Sequence, residues 1–408
     1  MKLFHHMNTV RRVIALCVLA LNGRVFAHEA HADHESMPVV RVELGSSAAV
    51  DARGRLWIVG KEGAGDGQYV VLQVTEDMGK TWSAPMRVQR QPEPVSAEGE
   101  NRPKIAFGGK DDIYITYTKP LSKPYTGEIR FARSTDGGKT FSTPLTVHAN
   151  RGLITHRFES LIVDREGRIY VVWIDKRDRE AAAASKRNYA GAALYYAVSE
   201  DDGATFRGDY KIADHSCECC RIALALNPQG RPVAMWRHVF EPDARDHALA
   251  ELTPDGKPGP VRRVTFDDWR IDACPHHGPA LAYASDGTRH QAWFDVKGDE
   301  GGVFYAAADA SGALGKPLRL GSAQAAHPDV AVQGREVVLA WKQFDGKATV
   351  ILARLSNDGG LTWQERELAR TSGASDQPHL LNTASGIVLV WRTRNEGVQT
   401  VTANWRQR

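Results

Sequence analysis

Apolar residues in this chain come in short alternating runs separated by Gly, Asp, Asn and Pro, and almost nowhere with a helical period. The runs come in pairs. A first apolar segment, a short Gly- or Asp-containing turn and a second segment ending near an aromatic recur from Leu161 to Trp173, Ile222 to Trp236, Pro279 to Trp293, Val330 to Trp341 and His379 to Trp391. Tyr117 fills the aromatic slot of an earlier pair, and Leu56-Trp57-Ile58-Val59 marks the first. Period-two runs bounded by turn residues predict β-strands. Only Arg179 to Arg187 carries a helical pattern, and it is expected inside a loop.

A second pattern runs in step with the first. It reads Thr75-x-Asp77-x-Gly79-x-Thr81-Trp82, Ser134-x-Asp136-x-Gly138-x-Thr140-Phe141, Ser199-x-Asp201-x-Gly203-x-Thr205-Phe206 and Ser356-x-Asp358-x-Gly360-x-Thr362-Trp363. In a tight turn the Asp carboxylate accepts hydrogen bonds from the turn's own amides. The Gly supplies a positive φ, and the aromatic anchors the hairpin to the sheet. Four copies between β-rich segments identify a repeat protein in which Asp77, Asp136, Asp201 and Asp358 are structural.

This motif is the Asp-box, or BNR repeat, and with it the chain resembles the sialidase (neuraminidase) superfamily of β-propellers. The resemblance implies an all-β propeller whose boxes close the hairpin between the third and fourth strands of a blade, away from the active-site face. The first three Asp positions are 59 and 65 residues apart and the fourth lies 157 further on, room for three units of about 52. Degenerate boxes at Thr253-Pro-Asp255-Gly256 and Ala307-Ala-Asp309 fill the gap, giving seven four-stranded blades. Six blades, the number in sialidases, is the alternative. The last unit has about three strands before Arg408, so the alternating segment Val39 to Leu44 is expected to close the ring as its missing strand.

The N-terminus reads as a secretory signal, with Arg11-Arg12 before the apolar run Val13 to Leu21 and a cleavage site at Val25-Phe-Ala27. The expected organisation is a signal at 1–27, a His-rich tail at 28–37 and one propeller at 38–408, in a periplasmic or secreted protein. The apolar run is too short to span a bilayer and none later is longer, so no membrane span is expected. Cleavage removes Lys2, Arg11, Arg12 and Arg24, taking Lys+Arg from 52 to 48 against 49 Asp+Glu. The formal charge of +3 becomes −1, which offers nucleic acid no electrostatic footprint.

The four cysteines after the signal sit in two places, Cys217-Glu-Cys219-Cys220 and Cys274-Pro-His276-His277. Each segment leads into the inner strand of a blade, the fourth and the fifth, so the two should be neighbours at one mouth of the channel. An oxidising compartment favours disulfides, of which four cysteines allow three pairings. Thiolates with imidazoles equally suit copper or zinc. The tail adds His28, His31 and His34, a terminal chelating tract.

The same topology puts strand starts Arg102, His156, Arg157, Arg221, His277, His327 and His379 at that mouth, with strand ends Asp175, Arg237 and Asp295. Arg102, Arg157, Arg221, Asp175, Asp295, His327 and His379 are the candidates for a small anionic ligand. The insertion from Asp175 to Gly191 is expected there as a lid. The resemblance would imply an arginine triad, a Tyr–Glu nucleophile pair and an Asp acid/base. This chain lacks the Phe/Tyr-Arg-Ile-Pro motif that carries the first arginine; its nearest string, Asn101-Arg102-Pro103-Lys104-Ile105, follows the first box. No Tyr occurs after Tyr305, and Glu159 has no identifiable Tyr partner. Three classes therefore stand: a metal-binding or metal-handling propeller that is not a working sialidase, an exo-α-sialidase-type glycoside hydrolase, and a non-catalytic interaction or assembly scaffold.

Overall fold

The computed structural model describes residues 43–403, apart from 110, 272, 298 and 299. Among them lie seven antiparallel sheets in which strand order follows chain order. Six have four strands. The seventh has three, His379–Thr383, Gly386–Thr393 and Gly397–Thr402. The first strands meet one another in sequence around an axis, and Ser47–Val50 of the first sheet touches both Lys104–Phe107 of the second and His379–Thr383 of the seventh. The fold is a closed seven-bladed propeller.

Burial explains the apolar pairs. The second strands Ile169–Asp175 and Pro232–Arg237 are buried along their whole length, because each is covered by a blade on either side. Trp57, Trp173, Trp236, Trp293, Trp341 and Trp391 all lie on second strands and are among the largest fully buried side chains, with Tyr117 in the same place in the second blade.

The Asp-boxes form the turns between third and fourth strands in blades one, two, three and six. Each repeats one hydrogen-bond set. In the second, Ser134 Oγ donates to Asp136 Oδ1 at 2.7 Å, Thr140 N to Oδ1 at 3.0 Å and Thr140 Oγ1 to Oδ2 at 2.6 Å. The box also docks on the preceding blade. Phe206 packs edge-on against Phe131 at 4.9 Å. Gly203, at φ 81°, lies so close that a Cβ would meet that ring at 2.4 Å.

Ring closure uses the same device. The box of blade one docks on blade seven, where Thr400 Oγ1 donates to Met78 O. An apolar cluster of Leu56, Val388, Val390, Trp82 and Val398 fills the junction. Of the segment expected to supply a closing strand, residues 39–42 lie outside the described residues. Glu43 and Leu44 are not in a strand, and Glu43 pairs with Lys61 of blade one.

The loops leading into first strands and the turns between second and third strands share the face opposite the boxes. The Asp175–Gly191 insertion lies there and contains helix α1, Arg177–Ala184.

Candidate functional site

The loop between the outer strand of blade three (Arg207–Ser216) and the inner strand of blade four (Ala223–Leu226) holds three buried thiols. Cys217 Sγ lies 3.9 Å from Cys219 Sγ and 3.8 Å from Cys220 Sγ, and all three sulfurs fall within 4.8 Å of one another. Cys217 N donates to Arg237 O at 2.9 Å, which ties the loop to its blade. Glu218, between the first two thiols, is gripped by Lys176 and Arg179 of the blade-three insertion.

Cys274 comes from the next long loop, between blades four and five. It is exposed, and the influence of the Cys219 thiol holds its pKa below the ordinary range. All four thiols are free. Cationic groups surround them. Arg245 Nη1 approaches Cys217 Sγ at 3.9 Å, Arg237 faces Cys217 and Cys220, and Lys176 faces Cys274. Hydrogen bonds from Cys219 and Cys220, with these guanidinium groups, hold the Cys217 thiol well below its ordinary range. Cys219 and Cys220 keep their own protons, the first because its hydrogen bond to Cys217 pushes its thiol up, the second because of burial and a like bond to Cys217.

The two histidines beside Cys274 do not complete a four-ligand cage with the three thiols. His277 turns toward the channel axis, stacked on Phe294 at 4.0 Å with His327 at 4.6 Å. His276 is exposed. The tail residues His28, His31 and His34 lie outside the described residues.

The channel mouth itself is filled by an ionic network that sequence reasoning only partly anticipated. Its centre is Glu100, which accepts hydrogen bonds from Arg221 N at 2.8 Å and Gly278 N at 2.8 Å. Burial works to raise its pKa, yet the His327 ring and the Arg221 guanidinium and amide hold it well below the usual carboxylate range. Arg102 is buried, paired with Asp376 at 2.7 Å and bonded to Ser46 O at 3.0 Å and to Gln377. Arg221 Nε donates to Pro279 O at 2.9 Å, and its Nη2 donates to Pro328 O. Arg157 pairs with Glu98.

The three arginines are thus each engaged by protein acceptors, and they staple blades together. His379 Nε2 lies 3.0 Å from Ser46 O, and burial, with Arg102 beside it, lowers that ring to about 3. His327 Nδ1 meets Gln377 Nε2 at 3.0 Å. The same Nδ1 lies 3.6 Å from Glu100 Oε1, so the tautomer and charge of the ring decide whether it accepts from the amide or donates to the carboxylate.

Beside this network lie the half-buried Lys104 and the buried Glu159. Burial brings Lys104 down to about 7 and pushes Glu159 up. The Thr118 hydroxyl sits 2.6 Å from Glu159 Oε2 and 2.9 Å from Asn101 Oδ1. One hydrogen cannot serve both acceptors, so a protonated Glu159 satisfies the geometry.

Asp175 accepts from Trp173 Nε1 at 2.9 Å and Arg177 Nη2 at 2.6 Å. Asp295 is raised to about 7 by burial, against the pull of Arg237 at 3.5 Å. With Asp246 and Asp267 it forms a second group of close carboxylates. Asp246 takes the amides of Asp267 and Asp268, and Asp267 takes Trp293 Nε1, so this group is satisfied internally. Two clefts of about 350 and 520 Å³ lie on the box face, around Asn227, Tyr283 and Ser285, away from all these groups. Glu100 and Gln377 escaped the sequence reading because nothing local marks them. Glu100 sits two residues before Arg102, and its partners come from three other blades.

No protein-family model and no curated protein matches this chain. Solved structures do. One is a protein of unknown function from Dyadobacter fermentans DSM 18053, at TM-score 0.51 and 16% identity over 76% of this chain and 92% of that one. Another is a polysaccharide lyase of family PL25, an ulvan lyase bound to GlcA(1-4)Rha3S, at TM-score 0.54 and 11% identity over 86% of this chain and 90% of that one. These likenesses show the shared propeller fold. The NanB sialidase of Streptococcus pneumoniae also matches, at TM-score 0.47 and 9% identity over 75% of this chain and 66% of that one.

Proposed function

We propose that this propeller binds one thiophilic closed-shell metal ion, Zn(II) or Cu(I), through Cys217, Cys219, Cys220 and Cys274, and that it handles metal rather than cleaving glycosides. The observation that carries this reading is the preassembled sulfur triangle. Four thiolates placed tetrahedrally at ~2.3 Å from zinc sit ~3.8 Å apart. The Cys217 Sγ separations are 3.8 and 3.9 Å. A disulfide requires the sulfurs to close to about 2.05 Å.

The surroundings support the same reading. Arg237, Arg245 and Lys176 offset the charge that several thiolates would accumulate, a task neutral thiols do not set. An exported chain, as its N-terminus leads us to expect, would meet copper and zinc outside the cytoplasm, with His28, His31 and His34 as additional ligands. The glycosidase reading has less support, since Arg102, Arg157 and Arg221 are all engaged by the protein itself.

The test is elemental analysis of protein purified under reducing conditions without added chelator, then competition with Zn(II)- and Cu(I)-selective chelators to tell the ions apart. One equivalent of metal per chain is expected. Cys219→Ser should abolish it, and His276→Ala should retain it. Protein with no metal and no titratable thiol would replace this reading with a pair of disulfides.

A further inference from the structure

We infer that the site is built for metal transfer, with Cys274 as the exchangeable ligand through which an incoming thiol takes the ion. The inference rests on the metal reading above and adds a direction to it. The four sulfurs are not equivalent. Cys217, Cys219 and Cys220 belong to one short loop and are 1%, 4% and 3% exposed. That loop is fastened at both ends, by Cys217 N to Arg237 O at 2.9 Å and by Arg221 N to Glu100 at 2.8 Å. Lys176 and Arg179 clamp Glu218 in its middle.

Cys274 has none of this support. It lies in a different loop, exposed, and falls outside the 4.8 Å triangle of the other three. A structural site would bury and fix all four ligands. Here three are fixed and the fourth faces solvent, beside an exposed His276 that offers an imidazole on the way out.

The step is a ligand exchange with no change of oxidation state. The incoming thiol loses its proton as its sulfur bonds the metal. The metal–Cys274 bond breaks, and the Cys274 thiolate takes up a proton. The three buried thiolates hold the ion until further incoming thiols displace them one at a time, each thiol losing its proton as it binds and each freed thiolate taking one up. The partner is accordingly a thiol-bearing acceptor or donor.

The experiment uses the full chain loaded with one equivalent of Zn(II), alkylated with iodoacetamide and followed residue by residue by mass spectrometry. Cys274 should react more slowly than in metal-free protein, yet at least about tenfold faster than Cys217, Cys219 and Cys220, since thiolate release and exposure govern the rate. Protection of Cys274 equal to that of the other three overturns the inference and leaves a structural metal site. Identical Cys274 rates with and without zinc also overturn it, because Cys274 is then not a ligand. Failure of the metal reading appears separately, as absence of bound zinc before alkylation. Metal release to a chromophoric chelator should rise in proportion to added glutathione, and a rate independent of glutathione excludes thiol-driven transfer.

Discussion

The two faces of this propeller are held together by opposite means. On the box face the hydrogen bonds that shape each turn close within a few residues, as from Thr140 to Asp136, and the same set recurs in each box. On the channel face the bonds span the chain. Arg102 pairs with Asp376, and Glu100 takes the amides of Arg221 and Gly278. The box face repeats because each turn solves the same local problem. The channel face does not repeat, and there the blades differ from one another and place their thiols, carboxylates and histidines. Local repetition builds the ring, and long-range exceptions make its chemistry.

The sharpest way to break this contrast is to cut a channel staple. Arg102→Ala leaves Asp376 buried without its cation, held by hydrogen bonds from Ser46 and Gln377, and should cost about 3–5 kcal/mol in a denaturant titration. Replacing both partners, as in Arg102→Leu with Asp376→Leu, should recover much of that loss. A single variant as stable as wild type would mean that the network does not hold the ring.

A smaller effect should come from Lys104. The folded protein releases its proton near pH 7, whereas the unfolded chain keeps it to about 10.5. Between those limits the unfolded state binds more protons, so this group makes stability rise with pH. Lys104→Met should raise stability at pH 7 and flatten the profile between pH 8 and 10. A profile unchanged by the substitution would show that the amine is not buried as described.

The smallest effect belongs to one box. Asp77, Asp136 and Asp201 are lowered to about 2, chiefly by the hydroxyl and amide of the following Thr in the first two and by those same bonds against burial in Asp201. Their folded values lie below the ordinary 3.8, so the stability they add is present above that pH and is lost as pH falls toward 2. Asp136→Ala should lower the melting temperature slightly and make the acid limb shallower, with metal content unchanged. Loss of metal from this variant would contradict the separation of the two faces.

The sequence by itself determined the blades, the boxes and the face on which the thiols emerge. Strand period, turn glycine and box hydrogen bonds are properties of neighbouring residues, and a topology with one repeated connection carries them into space. The two thiol loops were legible as neighbours for that reason. Tertiary structure alone decided which groups meet across the axis. It spent Arg102, Arg157 and Arg221 on Asp376, Glu98 and backbone carbonyls, turned His277 toward Phe294 and His327, and set Cys274 apart from the buried three. It also closed the ring by docking the first box on Thr400 of the last blade. These choices follow from which charges lose water together and must find partners in the closed ring, and that pairing is written in no local pattern.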